Sequence, residues 1–145
     1  MGSWAGLDAN YPPGTLTPAA AFVVALGHLA GATSIYADAA ATRLAAFLPR
    51  HGLEYDHDLL TRAERYLREV PIEQFLEEAR TLLNAEQKMC LALNLLDAAL
   101  AQGAVRPGDH PRLTLILERL GVTVEQMRPY WQALAIKNDL SLFPQ

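Results

Sequence analysis

The chain has 145 residues, of which 51% are apolar, and a formal net charge of −4. This is long enough to bury one substantial core and too apolar for general disorder. The acidic balance, with a pI near 5.5, argues against a nucleic-acid footprint, and the lone cysteine, Cys90, rules out an intramolecular disulfide framework and fits a reducing cytoplasm.

Residues 1–16 contain glycine, a Pro-Pro pair and no periodicity, and read as an arm without a basic leader segment. Trp4 and Tyr11 in this arm are candidates to dock on the domain or on a neighbouring subunit. Thr17-Pro18 has the form of a helix start, a hydroxyl cap followed by proline at the first helical position. The first helix is expected over Pro18–Gly31, with a turn over Ala32–Ala37 and a second helix over Tyr36–Leu48. Pro18–Ala37 lacks Asp, Glu, Lys and Arg and is about long enough to span a bilayer. Its Ala/Gly content and its polar His28, Thr33 and Ser34 favour a buried core helix instead.

Tyr55–Val70 and Pro71–Leu83 read as an amphipathic helix pair. One stripe comprises Leu59, Ala63, Tyr66, Leu67 and Val70, and the other Ile72, Phe75, Leu76, Ala79 and Leu82/Leu83. Pro71 breaks the run and can restart it, while Asp56 or Asp58 can cap the first of the two. Arg62, Arg65 and Arg68, interleaved with Glu64 and Glu69, read as a solvated mixed-charge face.

Asn84-x-x-Gln87 has capping-box spacing and opens a long apolar helix, in which Cys90 reads as a small buried hydrophobe. Asp109 with Pro111 starts the next helix, which ends at Gly121. Thr123-x-x-Gln126 is a second box, opening a final helix with Met127, Tyr130, Trp131, Leu134 and Ile136. A tail with Leu140, Leu142 and Phe143 follows. No strand-type alternation occurs, so the expected fold is all-α, with about seven helices in one domain over residues 17–139 between an arm (1–16) and a tail (140–145).

An internal repeat organises these elements. Phe22, Leu26, Ala30 and Ala32 recur 69 positions later as Leu91, Leu95, Ala99 and Ala101. In the same register Arg43, Leu44, Leu48, Arg50 and Gly52 recur as Arg112, Leu113, Leu117, Arg119 and Gly121. The apolar pairs match easily by chance, but the Arg, Arg, Gly spacing does so less readily. Two helix–turn–helix repeats related by a pseudo-two-fold axis are the expectation.

The segments LTPAAAFVVALGHLAGA, LNAEQKMCLALNLLDAALAQGAV, ERLGVTVEQM and LAIKND together resemble the tellurite-resistance protein B-like (TerB-like) family over about residues 16–139. The resemblance implies a compact all-α domain working in bacterial tellurite and chemical-stress assemblies, with a metal-linked role proposed and no enzymatic activity established for the fold; no cofactor is expected for this chain. Those assemblies are multiprotein or associate peripherally with the membrane through partners. The family's turns usually read Ala-Asp-Gly followed by glutamates, a spacing suited to a hard cation. Here Ala32-Thr33-Ser34 and Ala101-Gln102-Gly103 stand in those places, leaving only Asp38 and Asp109. One carboxylate per turn is too little for a tight divalent site, so both acids read as helix caps.

His28 and Asp97 occupy equivalent places in the two repeats. They form either a buried pH-sensitive pair or half of a metal site, or else two separately satisfied polar groups; the second is the simpler reading. His51, His57 and His110 have no zinc-type spacing, and no nucleophile elbow, phosphate loop or dinucleotide fingerprint occurs. The leading expectation is a cytoplasmic interaction module that docks a protein partner or a second copy through Trp4, Tyr11, Tyr130, Trp131 and Phe143. The alternative is a small-molecule or metal-binding domain with a polar site between the repeats.

Overall fold

The computed structural model describes residues 16–29, 31, 57–101 and 110–143. These form six α-helices in the order α1 (Pro18–Leu29), α2 (His57–Glu69), α3 (Ile72–Leu82), α4 (Ala85–Ala101), α5 (Pro111–Leu120) and α6 (Val124–Lys137), and a 3₁₀ turn at Leu140–Leu142. Among the described residues there is no strand, as the sequence leads one to expect. Contacts divide the chain into two units, Met1–Asn84 and Ala85–Gln145.

In the first unit, α1 packs against α2 and α3. It starts as expected: the Thr17 hydroxyl accepts from Ala20 N–H at 3.2 Å, and the following proline needs no such acceptor. Its face is apolar all round, and Ala19–Gly27 and Leu29 are buried. Gly31 closes the helix with φ +68°, and its N–H donates to His28 O at 3.1 Å. Leu60, Ala63 and Leu67 of α2 are buried, as are Phe75, Leu76 and Ala79 of α3 with Leu83 just beyond it. The side chain of Leu59, placed in the α2 stripe, lies outside the described residues. Between the helices Pro71 is the N-cap of α3 with extended ψ (153°), so the helix begins at Ile72, one position after the expected restart at Pro71. Asp58 stands inside α2 rather than ahead of it, and Asp56 lies outside the described residues.

In the second unit, α4 packs against α5 and α6. Leu91, Ala92, Leu95, Leu96, Ala98, Ala99 and Leu100 are buried. Cys90 is exposed, against the expectation of a buried thiol. Helical phase explains it: Gln87, Cys90, Asn94 and Ala101 lie on one stripe, opposite the buried residues. Asn94 Nδ2 donates to Cys90 O at 2.9 Å and approaches its sulfur at 3.7 Å. Partial desolvation raises the Cys90 pKa, and the Asn94 contact offsets part of that rise.

The cap of α5 is also a correction. His110 is the N-cap, its Nδ1 accepting from Leu113 N–H at 3.3 Å, whereas Asp109 lies outside the described residues. Proline follows at the first helical position. The helix ends at Gly121, φ +79°, with Val122 N–H donating to Leu117 O at 2.9 Å. This paired closure satisfies carbonyls of the last turn. The capping box of α6 is present as read, with Thr123 and Gln126 satisfying each other's backbone N–H. Met127 is buried, and Pro129 lies inside the helix, where it removes one backbone donor.

The first helices of the two expected repeats both bury their matched leucines, Leu26 and Leu95. The second helix of the first repeat falls on residues outside those described.

Candidate functional site

Asp97 lies at the same phase of α4 as Cys90 and Asn94, yet its side chain is only 8% exposed. The end of α6 covers it. Lys137 Nζ sits 3.0 and 3.1 Å from the two carboxylate oxygens, and Asn138 Nδ2 donates to Oδ1 at 2.8 Å. The same Asn138 side chain also donates to Leu134 O at 2.9 Å, closing the last turn of α6. One carboxylate therefore fixes both the final side chain of α6 and its C-cap. Charge-assisted bonds at these lengths are strong relative to neutral ones. The Lys137 ammonium, 48% exposed, occupies the approach a cation would use, so the arrangement suits a latch better than a metal ligand.

Beyond the latch, Asp139 Oδ1 accepts from Ser141 N–H at 3.0 Å, which starts the 3₁₀ turn. That turn leaves Leu140 82% and Phe143 80% exposed, with Leu142, Ile136 and Tyr130 also exposed. Trp131 is partly buried. The aromatic residues expected to form a docking surface therefore divide: Tyr130 and Phe143 face solvent, and Trp131 is half covered. Trp4 and Tyr11, together with the turn acids Asp38 and Asp109, lie outside the described residues.

His28 is on α1, its ring 5.3 Å from that of Phe75 in a tilted stack. Phe75 also meets Tyr66 edge-on, with centroids 6.0 Å apart. The Tyr66 hydroxyl donates to Glu78 Oε2, and Gln74 Nε2 donates to Glu78 Oε1 at 3.4 Å. Burial first, and the Glu78 carboxylate second, push the Tyr66 pKa well above its ordinary value. The α2 charges pair largely among themselves: Arg65 Nε with Glu69 at 3.2 Å and Arg68 Nε with Glu64 at 3.8 Å. Arg65, Arg68 and Glu69 form the solvated mixed-charge face read from the sequence, whereas the Glu64 side chain is only 15% exposed.

Sequence reading missed Lys137, Asn138 and the Tyr66–Glu78 bond. The local clue for the first was an Asp on an otherwise apolar helix, which requires a partner when buried; nothing near it in sequence names that partner. Among the described residues, no group of three or more His, Cys, Asp and Glu side chains is placed to hold a metal ion, and no helix is long and apolar enough to cross a membrane. The chain matches no family model, no curated protein and no solved structure.

Proposed function

We propose that this chain is a non-enzymatic interaction module of the TerB-like kind, serving a bacterial stress response, and that its C-terminal edge is a docking surface. The observation that carries the reading is the exposed apolar turn Leu140–Phe143, anchored to α4 through the Asp97 latch. Large apolar side chains clustered in water favour association, and holding them in a fixed turn lowers the ordering cost of binding. Lys137 on Asp97 supports this reading over a metal site, because the carboxylate already carries a cation.

The test is a Leu140→Ser/Phe143→Ser variant of the full chain. Light scattering across a concentration series reads self-association. Capture with the two proteins as parallel baits in a bacterial extract reads heterotypic docking. A complex formed by the wild-type chain and lost in the variant, with an unchanged circular dichroism spectrum, is the expected result. Identical oligomeric state and identical captured proteins for both would overturn the proposal.

A further inference from the structure

The first unit contains an open groove of about 1130 Å³ that belongs to neither the latch nor the C-terminal turn. One wall is formed by Arg62, Arg65, Tyr66, Glu69 and Val70 of α2 and the residue after it. The other is formed by Gln74, Glu77, Glu78, Thr81 and Leu82 of α3. Each set follows the spacing i, i+3, i+4, i+7, i+8, so each helix presents one unbroken stripe about 12 Å long. Leu16 and Ala20, at the start of α1, add an apolar patch. Two helical stripes beside an apolar patch form a seat on which a third helix can pack, ridge into groove. The volume is larger than most small-molecule pockets, which points to a polypeptide segment as occupant.

The charges in the groove select its sign. Arg65 is neutralised by Glu69 within its own wall, and Arg62 already has an interaction of its own. On the facing wall, Glu78 is bonded only to the uncharged Tyr66 and Gln74. Glu77 is exposed, and the Thr81 hydroxyl donates to its backbone carbonyl at 3.2 Å. Among the described residues neither Glu77 nor Glu78 is ion-paired, although Arg62 and Arg65 line the facing wall. We infer that this groove binds an amphipathic helix of a partner protein, one that lays apolar residues on Leu16, Ala20, Val70 and Leu82 and directs a Lys or Arg to Glu77 and Glu78. Helix-in-groove docking supplies the apolar contact area, and the two carboxylates supply sign selectivity and a faster encounter.

The probe is a synthetic, fluorescein-labelled helical peptide of about 14 residues with leucines at i, i+4 and i+7 and lysines beside them. A control peptide carries glutamate in place of each lysine. Fluorescence anisotropy is measured with the full chain and with its Glu77→Lys and Thr81→Trp variants. Both substitutions are at exposed positions of α3, and circular dichroism checks the fold. Saturable binding of the lysine peptide is expected. It should weaken by about ten-fold in Glu77→Lys and also in Thr81→Trp, which fills the groove, and added salt should reduce it. Amide shifts should fall on residues 62–82 and on Leu16 and Ala20. No saturable binding, equal binding of the glutamate peptide, or indifference to both variants would overturn the inference. The Leu140→Ser/Phe143→Ser chain should bind the peptide normally, so failure at this groove and failure of the C-terminal docking surface are separate results.

Discussion

Replacing Lys137 by Met tests whether the latch organises the C-terminal end. Removing one member of a fully buried ion pair costs about 3–5 kcal/mol, because a charge is left buried and alone. Two features lower that figure here. Lys137 is about half exposed, so water screens the pair and rehydrates the ammonium cheaply in any rearranged state. Asn138 still donates to Oδ1 after the change, so the carboxylate is not left alone. A loss of about 1–2 kcal/mol follows, or a fall in Tm of roughly 3–8 °C for a chain of this size. Asp97→Asn keeps the volume and weakens both contacts, with a loss of similar size. The decisive measurement is the coupling in a double-mutant cycle of Asp97→Asn and Lys137→Met by urea denaturation. A coupling of about 1 kcal/mol is expected. Additivity within about 0.3 kcal/mol would mean the two groups do not act together, and the latch would be refuted.

Four further outcomes are expected. Leu95 is fully buried, and Leu95→Ala should lose about 2–5 kcal/mol; an unchanged melting curve would place it at the surface. Gly121 has φ +79° and open space where a Cβ would stand, so Gly121→Ala should cost about 1 kcal/mol through the backbone alone, with Gly121→Asn less harmful because Asn tolerates this region; equal stability of all three would refute the left-handed cap. Cys90 should react with a disulfide reagent in the native protein, with a pH midpoint above that of an ordinary thiol; an unreactive thiol would return it to the core. The raised pKa of Tyr66 favours the neutral phenol in the fold, so its contribution is complete below the ordinary tyrosine pKa of about 10 and is lost as pH rises through the higher folded value. Wild type should therefore lose stability relative to Tyr66→Phe only above about pH 10, and a constant difference between them up to the alkaline limit would argue against the bond to Glu78.

What was legible in the sequence was whatever is decided within a few residues. Thr123 and Gln126 satisfy each other across one turn, and Gly121 stops α5 through its own φ, so both could be read directly. The α3 stripe was readable because charged residues separate Phe75, Leu76 and Ala79 and so fix the helical phase. In α4 the phase was hidden, since Met89, Cys90, Leu91, Ala92 and Leu93 run apolar around the whole circumference. Glu86, Gln87 and Asn94 mark the outer side, and that is the side on which Cys90 lies. The Lys137–Asp97 pair was beyond local reading, because two residues forty positions apart meet only after α6 packs on α4.

That same packing explains why one outward stripe of α4 behaves in two ways. Gln87, Cys90 and Asn94 leave it facing water or only partly covered, and Asn94 bonds one turn back to Cys90. Asp97 continues the stripe to the place where α6 ends, and there the last turn of α6 closes over it. A leucine at that position would extend the apolar core and bind the end of α6 without fixing its rotation, since apolar contact is not directional. A carboxylate that receives one ammonium and one amide sets both the distance and the angle of approach. The orientation of Asn138 then determines where Asp139 starts the 3₁₀ turn, and so where Leu140 and Phe143 face solvent. The buried charge sacrifices some stability relative to an apolar contact and in return gives the exposed turn a defined position, which is the property a docking surface requires.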